Sequence, residues 1–231
     1  MDFPIYQKVV DSCSQGNKML AILIDPDKFS PENTNAFLQK IPKETTHILV
    51  GGSTATNGHT AETVAALKPE TSLPIVLFPG NHTQITPTAD AILFLSLVSG
   101  RNPEYLVGQQ LKAVETLSTT NLEVLPTGYI LIDGGTESSV ARVSQTKPLP
   151  QDDVQTIVTT AMAAQFMGNK LIYLEAGSGA VTPVKEEIIQ KVKEVLHIPL
   201  IVGGGIRSET QKRIAFEAGA DMVVMGTAFE E

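Results

Sequence analysis

The chain has 231 residues, 42% hydrophobic and 18% charged, with a mean hydropathy of +0.06 and no low-complexity tract, which excludes a disordered or fibrous protein and suits one domain spanning 1–231. Seventeen basic against 25 acidic residues give a net charge of −8, and without a dense Lys/Arg cluster this excludes a nucleic-acid surface. A single cysteine, Cys13, excludes an internal disulfide or a structural zinc site, and the longest apolar runs, MLAILI and AILFL, are too short to span a bilayer. The first residues carry no apolar segment after a basic start, so the expected location is the cytoplasm.

In chain order, short runs that are apolar throughout predict strands buried on both faces: 19–25, 46–50, 74–78, 90–95, 124–132, 170–175, 198–203 and 221–226. Helical patterns between them predict helices over 31–40, 60–67, 103–118, 151–167, 184–196 and 208–218. The segment 79–89, PGNHTQITPTA, is too short and too rich in Pro and Thr for a helix. The expected fold is therefore a (β/α)8 TIM-type barrel with its third helix replaced by a loop or strand, an open doubly wound sheet being the rival. No stretch for a closing helix follows the eighth strand before Glu231, so that helix is expected to be absent or not represented in this sequence.

Strand ends seven and eight read Gly203-Gly204-Gly205-Ile206-Arg207-Ser208 and Gly226-Thr227-Ala228. In barrels the loops after these strands form the usual phosphate site, where glycine lets backbone N–H groups approach the oxygens; tight turns alone are the competing explanation. Strand six ends Tyr173-Leu174-Glu175, whose alternation puts Tyr173 and Glu175 on one face and Leu174 on the other. If that face is the interior, Glu175 stands at the mouth as a base for a bound alcohol, the alternative being a structural carboxylate. Asp25 and Ser53, on the first two strand ends, suit a loosely held Mg2+, while Asp27 and Lys28 pair with each other or cap a helix. His47, His59, His82 and His197 lack zinc-site spacing, and without a G-x-S-x-G elbow acyl transfer is disfavoured.

With ILIDPDK, VGGST, LPTGYILIDGG, YLEAGSGA, VGGGIRS and VMGTA in this order over nearly the whole chain, the sequence resembles the geranylgeranylglyceryl phosphate synthase family. The resemblance implies a prenyltransferase that joins the C3 hydroxyl of sn-glycerol 1-phosphate to a polyprenyl diphosphate and expels pyrophosphate with Mg2+. It places the glycerol-phosphate contacts on Tyr173, Leu174, Glu175, Ala176, Gly177, Ser178 and Gly179, on Gly204 and Gly205, and on Gly226 and Thr227. It places the metal on Asp25 and Ser53, and makes Glu175 the base. It further implies a homo-oligomer, a prenyl groove where the third helix is missing, and passing contact with a membrane surface. Leu23 stands where the shorter bacterial branch has lysine, so the chain looks more like the archaeal and Bacteroidetes-type branch. The absent eighth helix departs from the family pattern. Two other readings stay open: a sugar-phosphate isomerase or aldolase, disfavoured because Lys28 and Lys170 are the only lysines near strand ends, and a phosphate-binding barrel without catalysis.

Overall fold

The computed structural model describes residues 4–226. Eight strands close into a barrel in sequence order: β1 (Met19–Ile24), β2 (Thr45–Val50), β3 (Ile75–Leu77), β4 (Ala91–Leu97), β5 (Glu123–Leu131), β6 (Leu171–Glu175), β7 (Leu200–Gly203) and β8 (Met222–Met225). All neighbours run parallel, and β1 closes on β8 from Met19↔Met222 to Ile22↔Met225. The uninterrupted apolar runs have their cause here. Ala21, Leu49, Val76, Leu93 and Leu125 fill the interior, while Ile22, Ile48, Ile75, Ile130 and Ile172 pack outward.

The surrounding helices are α2 (Thr34–Lys40), α3 (His59–Leu67), α4 (Gln109–Ser118), α6 (Val154–Phe166), α7 (Glu186–Val195) and α8 (Glu209–Glu217). Asp153 caps α6 by accepting the Thr156 N–H at 3.2 Å, and Ser208 caps α8 by accepting that of Gln211 at 3.2 Å. Between β3 and β4 only a 3₁₀ turn, His82–Gln84, is helical. The outer face of β4, carrying Ile92 and Phe94, therefore borders a gap in the helical ring.

Three features differ from the sequence expectation. Helix α1 (Pro4–Ser14) precedes the first strand and packs Ile5 and Val9 with interior residues such as Met19, Leu125 and Leu171, closing the N-terminal mouth. Only this i, i+4 pair is buried on α1, too thin a stripe to stand out in sequence. A six-residue helix, α5 (Ser139–Ser144), capped by Ser138 on the Ala141 N–H at 3.1 Å, follows β5. The stretch 103–118 is not one regular helix, because a π-helical segment, Glu104–Gly108, leads into α4. The expectation about a closing helix, and residue Thr227, fall outside the described residues.

At the N-terminal rim, buried carboxylates bind backbone donors. Glu123 accepts the N–H groups of Ile5 (2.7 Å) and Tyr6 (2.8 Å), and Asp221 accepts that of Leu200 (2.8 Å) and the Lys193 ammonium (2.6 Å). Carboxylates at this end of a barrel serve stability, which leaves the opposite mouth for chemistry. Among the described residues no helix is long and apolar enough to cross a membrane.

Candidate active site

The C-terminal strand ends surround a cavity of about 380 Å3. One end is polar, with Asp25, Ser53, Glu175, Ser178 and Gly204 in its wall; the other is apolar, with Ile85, Ile92, Phe94, Tyr105 and Val143. The apolar end opens into the gap left by the third helix.

Glu175 ends β6 on the face it shares with Tyr173, which is the inner one. Tyr173 belongs to the interior cluster, and Leu174 packs outward among the helices. The Glu175 carboxylate is 5% exposed, and its Oε1 accepts the Gly177 N–H at 2.6 Å. Burial pushes its pKa up to about 7, against the smaller downward pull of the Gly177 N–H and Tyr173. Such a carboxyl titrates near neutrality and can take a proton from an alcohol. The buried Tyr173 hydroxyl has no well-formed hydrogen bond among the described residues, although it lies near enough to Glu175 for each to influence the other. A buried, unsatisfied hydroxyl in a cavity wall is a donor waiting for a ligand.

Gly204 lies at φ +83°, and a Cβ there would come within 2.4 Å of Glu175 Oε1 and 2.6 Å of the Gly177 nitrogen. Only glycine lets strand end seven close on the carboxylate. Among the described residues, the N–H groups of Ser178, Gly179, Gly204 and Gly205 make no hydrogen bond in the loops that hold them. Ser178, Gly204 and Gly205 line the polar end, where such donors suit the oxygens of a phosphate, and Gly179 follows Ser178 in the chain.

On the opposite wall, Asp25 Oδ1 accepts the Asp27 N–H at 3.1 Å, and Oδ2 lies 3.8 Å from the Lys28 ammonium. Asp27 neither pairs with Lys28 nor caps a helix. Its carboxylate accepts the Thr56 N–H at 2.9 and 3.1 Å and meets His59 Nδ1 at 2.8 Å, tying the loop after β1 to the loop that carries Ser53. Gln84 holds that loop from the other side through a 2.9 Å bond to the Gly52 carbonyl. One partly exposed carboxylate and one hydroxyl, with room for water, form a donor set that fits Mg2+ held mainly by water and substrate oxygens. Among the described residues no group of three or more His, Cys, Asp or Glu side chains gathers for a metal.

The PcrB family model matches residues 16–231. The chain belongs to the PcrB family. It is 54% identical over 226 residues to the geranylgeranylglyceryl phosphate synthase of Zunongwangia profunda, covering 98% of this chain and 97% of that relative. It is 44% identical over 211 residues to the enzyme of that name from Pyrococcus furiosus, covering 90% and 83%. The crystal structure of (S)-3-O-geranylgeranylglyceryl phosphate synthase from Thermoplasma acidophilum, in complex with its substrate sn-glycerol-1-phosphate, superposes with a TM-score of 0.90 at 37% identity, over 98% of this chain and 92% of that one.

In this PcrB family member the cavity gathers Asp25, Ser53, Tyr173, Glu175, Ser178, Gly204, Gly205 and Gly226. Four other residues of the expected site do not line it. Leu174 and Ala176 pack into the outer core, the Ala176 and Gly177 N–H groups are taken by the Gly203 carbonyl and Glu175, and Gly179 lies outside the cavity wall next to Ser178. Sequence reasoning missed Phe78, Tyr105, Tyr129, Val140 and Val143 in the wall, and Asp27 as a brace. A run of aromatic or branched residues at a strand end was the available signal, but it is shared with ordinary core strands.

Proposed function

We propose that this protein is a prenyltransferase that joins sn-glycerol 1-phosphate to a polyprenyl diphosphate, geranylgeranyl or longer, through an ether bond and releases pyrophosphate. The observation that carries the reading is the position of Glu175, a carboxyl titrating near 7 at the boundary between a cup of backbone donors and an apolar channel. The names of the relatives and the glycerol phosphate in the similar Thermoplasma structure support it.

In this reading the phosphate rests on the N–H groups of Ser178, Gly204 and Gly205, which make no hydrogen bond among the described residues, and the C3 hydroxyl meets Glu175 and the Tyr173 hydroxyl. The prenyl chain lies along Ile92, Phe94 and Val143, so its diphosphate is directed towards Asp25 and Ser53. The glycerol oxygen attacks C1 of the chain, the C1–O bond to diphosphate breaks with both electrons leaving on oxygen, and Glu175 takes the hydroxyl proton. Asp25 and Ser53 would hold Mg2+, which when bound supplies neutralisation of the departing diphosphate. An isomerase or aldolase is not favoured: Lys170 sits at the closed end over the Tyr6 ring at 5.0 Å, and Lys28 stands beside Asp25 at the rim.

Contact with a lipid surface and self-association belong to the same proposal. Val107, Leu111 and Val114 expose an apolar face near the groove, which supports the first; Phe166 and Met167, exposed at the end of α6, support the second. Vesicle co-sedimentation and light scattering test them. The activity is tested by incubating the protein with labelled glycerol 1-phosphate and prenyl diphosphates of several lengths, with Mg2+ or chelator. A Mg2+-dependent ether product of the mass of the joined substrates is expected; no product at any length overturns the reading.

A further inference from the structure

Where the cavity passes from polar to apolar, its wall is made of aromatic rings. Phe78 follows β3, Tyr129 lies on β5 and Tyr173 on β6, and all three line the cavity. Phe78 stacks on Tyr173 with centroids 5.2 Å apart and planes at 10°; Tyr129 lies 5.4 Å from Tyr173 and 6.0 Å from Phe78. Tyr173 and Tyr129 are 0 and 4% exposed, whereas Phe78 is partly open to the cavity, with one face covered by Tyr173. Glu175 is close enough to act on both tyrosines, so the cluster adjoins the base on one side and the interior leucines Leu93 and Leu95 on the other.

The inference rests on the proposed function. In that reaction C1 of the prenyl chain is joined to three things at once: the glycerol oxygen beside Glu175, the diphosphate directed towards Asp25, and the tail in the apolar channel. These three regions border one another at the aromatic cluster. As the C1–O bond breaks before the new one is complete, positive charge develops on C1 and is shared with C3 of the allyl system. A carboxylate or water beside that charge would trap it; an aromatic face attracts it through its quadrupole and has no lone pair to bond it. We propose that Phe78, backed by Tyr129 and Tyr173, is a catalytic residue that stabilises the allylic cation character of the transition state. Burial holds both tyrosines as neutral phenols, so neither competes with glycerol as a nucleophile.

Fluorinated phenylalanines at position 78 separate this role from packing, because each fluorine weakens the negative face of the ring and changes its shape little. In single turnovers with glycerol 1-phosphate and geranylgeranyl diphosphate, para-fluoro-, 3,5-difluoro- and 3,4,5-trifluorophenylalanine should slow ether formation stepwise. The total should be on the order of tenfold, with KM for both substrates and the melting temperature nearly unchanged. Phe78→Leu should be at least as slow as the trifluoro protein, and Phe78→Tyr should recover most of the rate. A rate indifferent to fluorine count overturns the inference and leaves the proposed function standing. No ether product from the unsubstituted protein overturns both.

Discussion

In the proposed reaction Glu175 carries the chemistry and the cost of it. Its carboxylate must be ionised to accept a proton, yet burial favours the protonated form up to about pH 7. Turnover should therefore rise with pH through about 7 and level off above, and Glu175→Gln should lose this inflection. That variant should retain glycerol-phosphate affinity by calorimetry and lose turnover by on the order of 10²-fold or more. Wild-type-like turnover in Glu175→Gln would remove the carboxylate from the mechanism. Gly204 is a poor place to probe the phosphate cup, because a side chain there meets the Glu175 oxygen before any ligand. Gly226 is better: among the described residues the atoms nearest to a Cβ there are those of Leu23, at an ordinary 3.4 Å, so Gly226→Ala should fold normally and raise KM for glycerol phosphate severalfold. An unchanged KM in steady-state kinetics would take Gly226 out of the cup.

At the scale of elements, the strands were legible in the sequence because a strand buried on both faces is apolar throughout, and Gly-rich turns late in the chain favour a closed barrel over an open sheet. Alternation placed Tyr173 and Glu175 on one face and Leu174 on the other, and the closed barrel makes the shared face the interior. What could not be read were contacts between distant segments. Nothing local in IDPDK says that Asp27 reaches 29 residues on to Thr56, or that Glu123 receives the first turn of α1 from 117 and 118 residues away. Each carboxylate yields a prediction. Asp27→Ala should release the loop that carries Ser53, seen as faster hydrogen exchange over 51–58, and raise KM for the prenyl diphosphate more than for glycerol phosphate; equal effects on both would deny it a bracing role. Glu123→Ala removes two charge-assisted bonds from a buried helix end and should cost on the order of 2–3 kcal/mol in chemical denaturation while leaving KM values intact. A neutral effect on stability would mean that α1 docks through Ile5 and Val9 alone.

Over the whole molecule, the two ends of the barrel pull stability in opposite directions with pH. Glu175, raised from 4.5 to about 7, favours the fold at pH below about 4.5, and that contribution is lost as pH rises through about 7. His47, buried at the other end, is lowered from 6.5 to about 4 by burial and then by Lys8. Its contribution is present above about 6.5 and lost as pH falls through about 4. The slopes oppose each other over the shared range, so removing one exposes the other. Glu175→Gln should melt several degrees above the unsubstituted protein at pH 8, a gain of up to about 3 kcal/mol, and lose most of that advantage at pH 4.5. A melting difference independent of pH would contradict the burial assigned to this carboxyl. In the proposed function one cavity presents a phosphate cup, a base and an apolar channel in that order. A crystal structure of this protein soaked with sn-glycerol 1-phosphate tests it most directly. Phosphate oxygens are expected on the amides of Ser178, Gly204 and Gly205, with the C3 hydroxyl in hydrogen-bond reach of Glu175 and facing Phe78. Glycerol phosphate bound elsewhere, or with its C3 hydroxyl turned from Glu175, would contradict it.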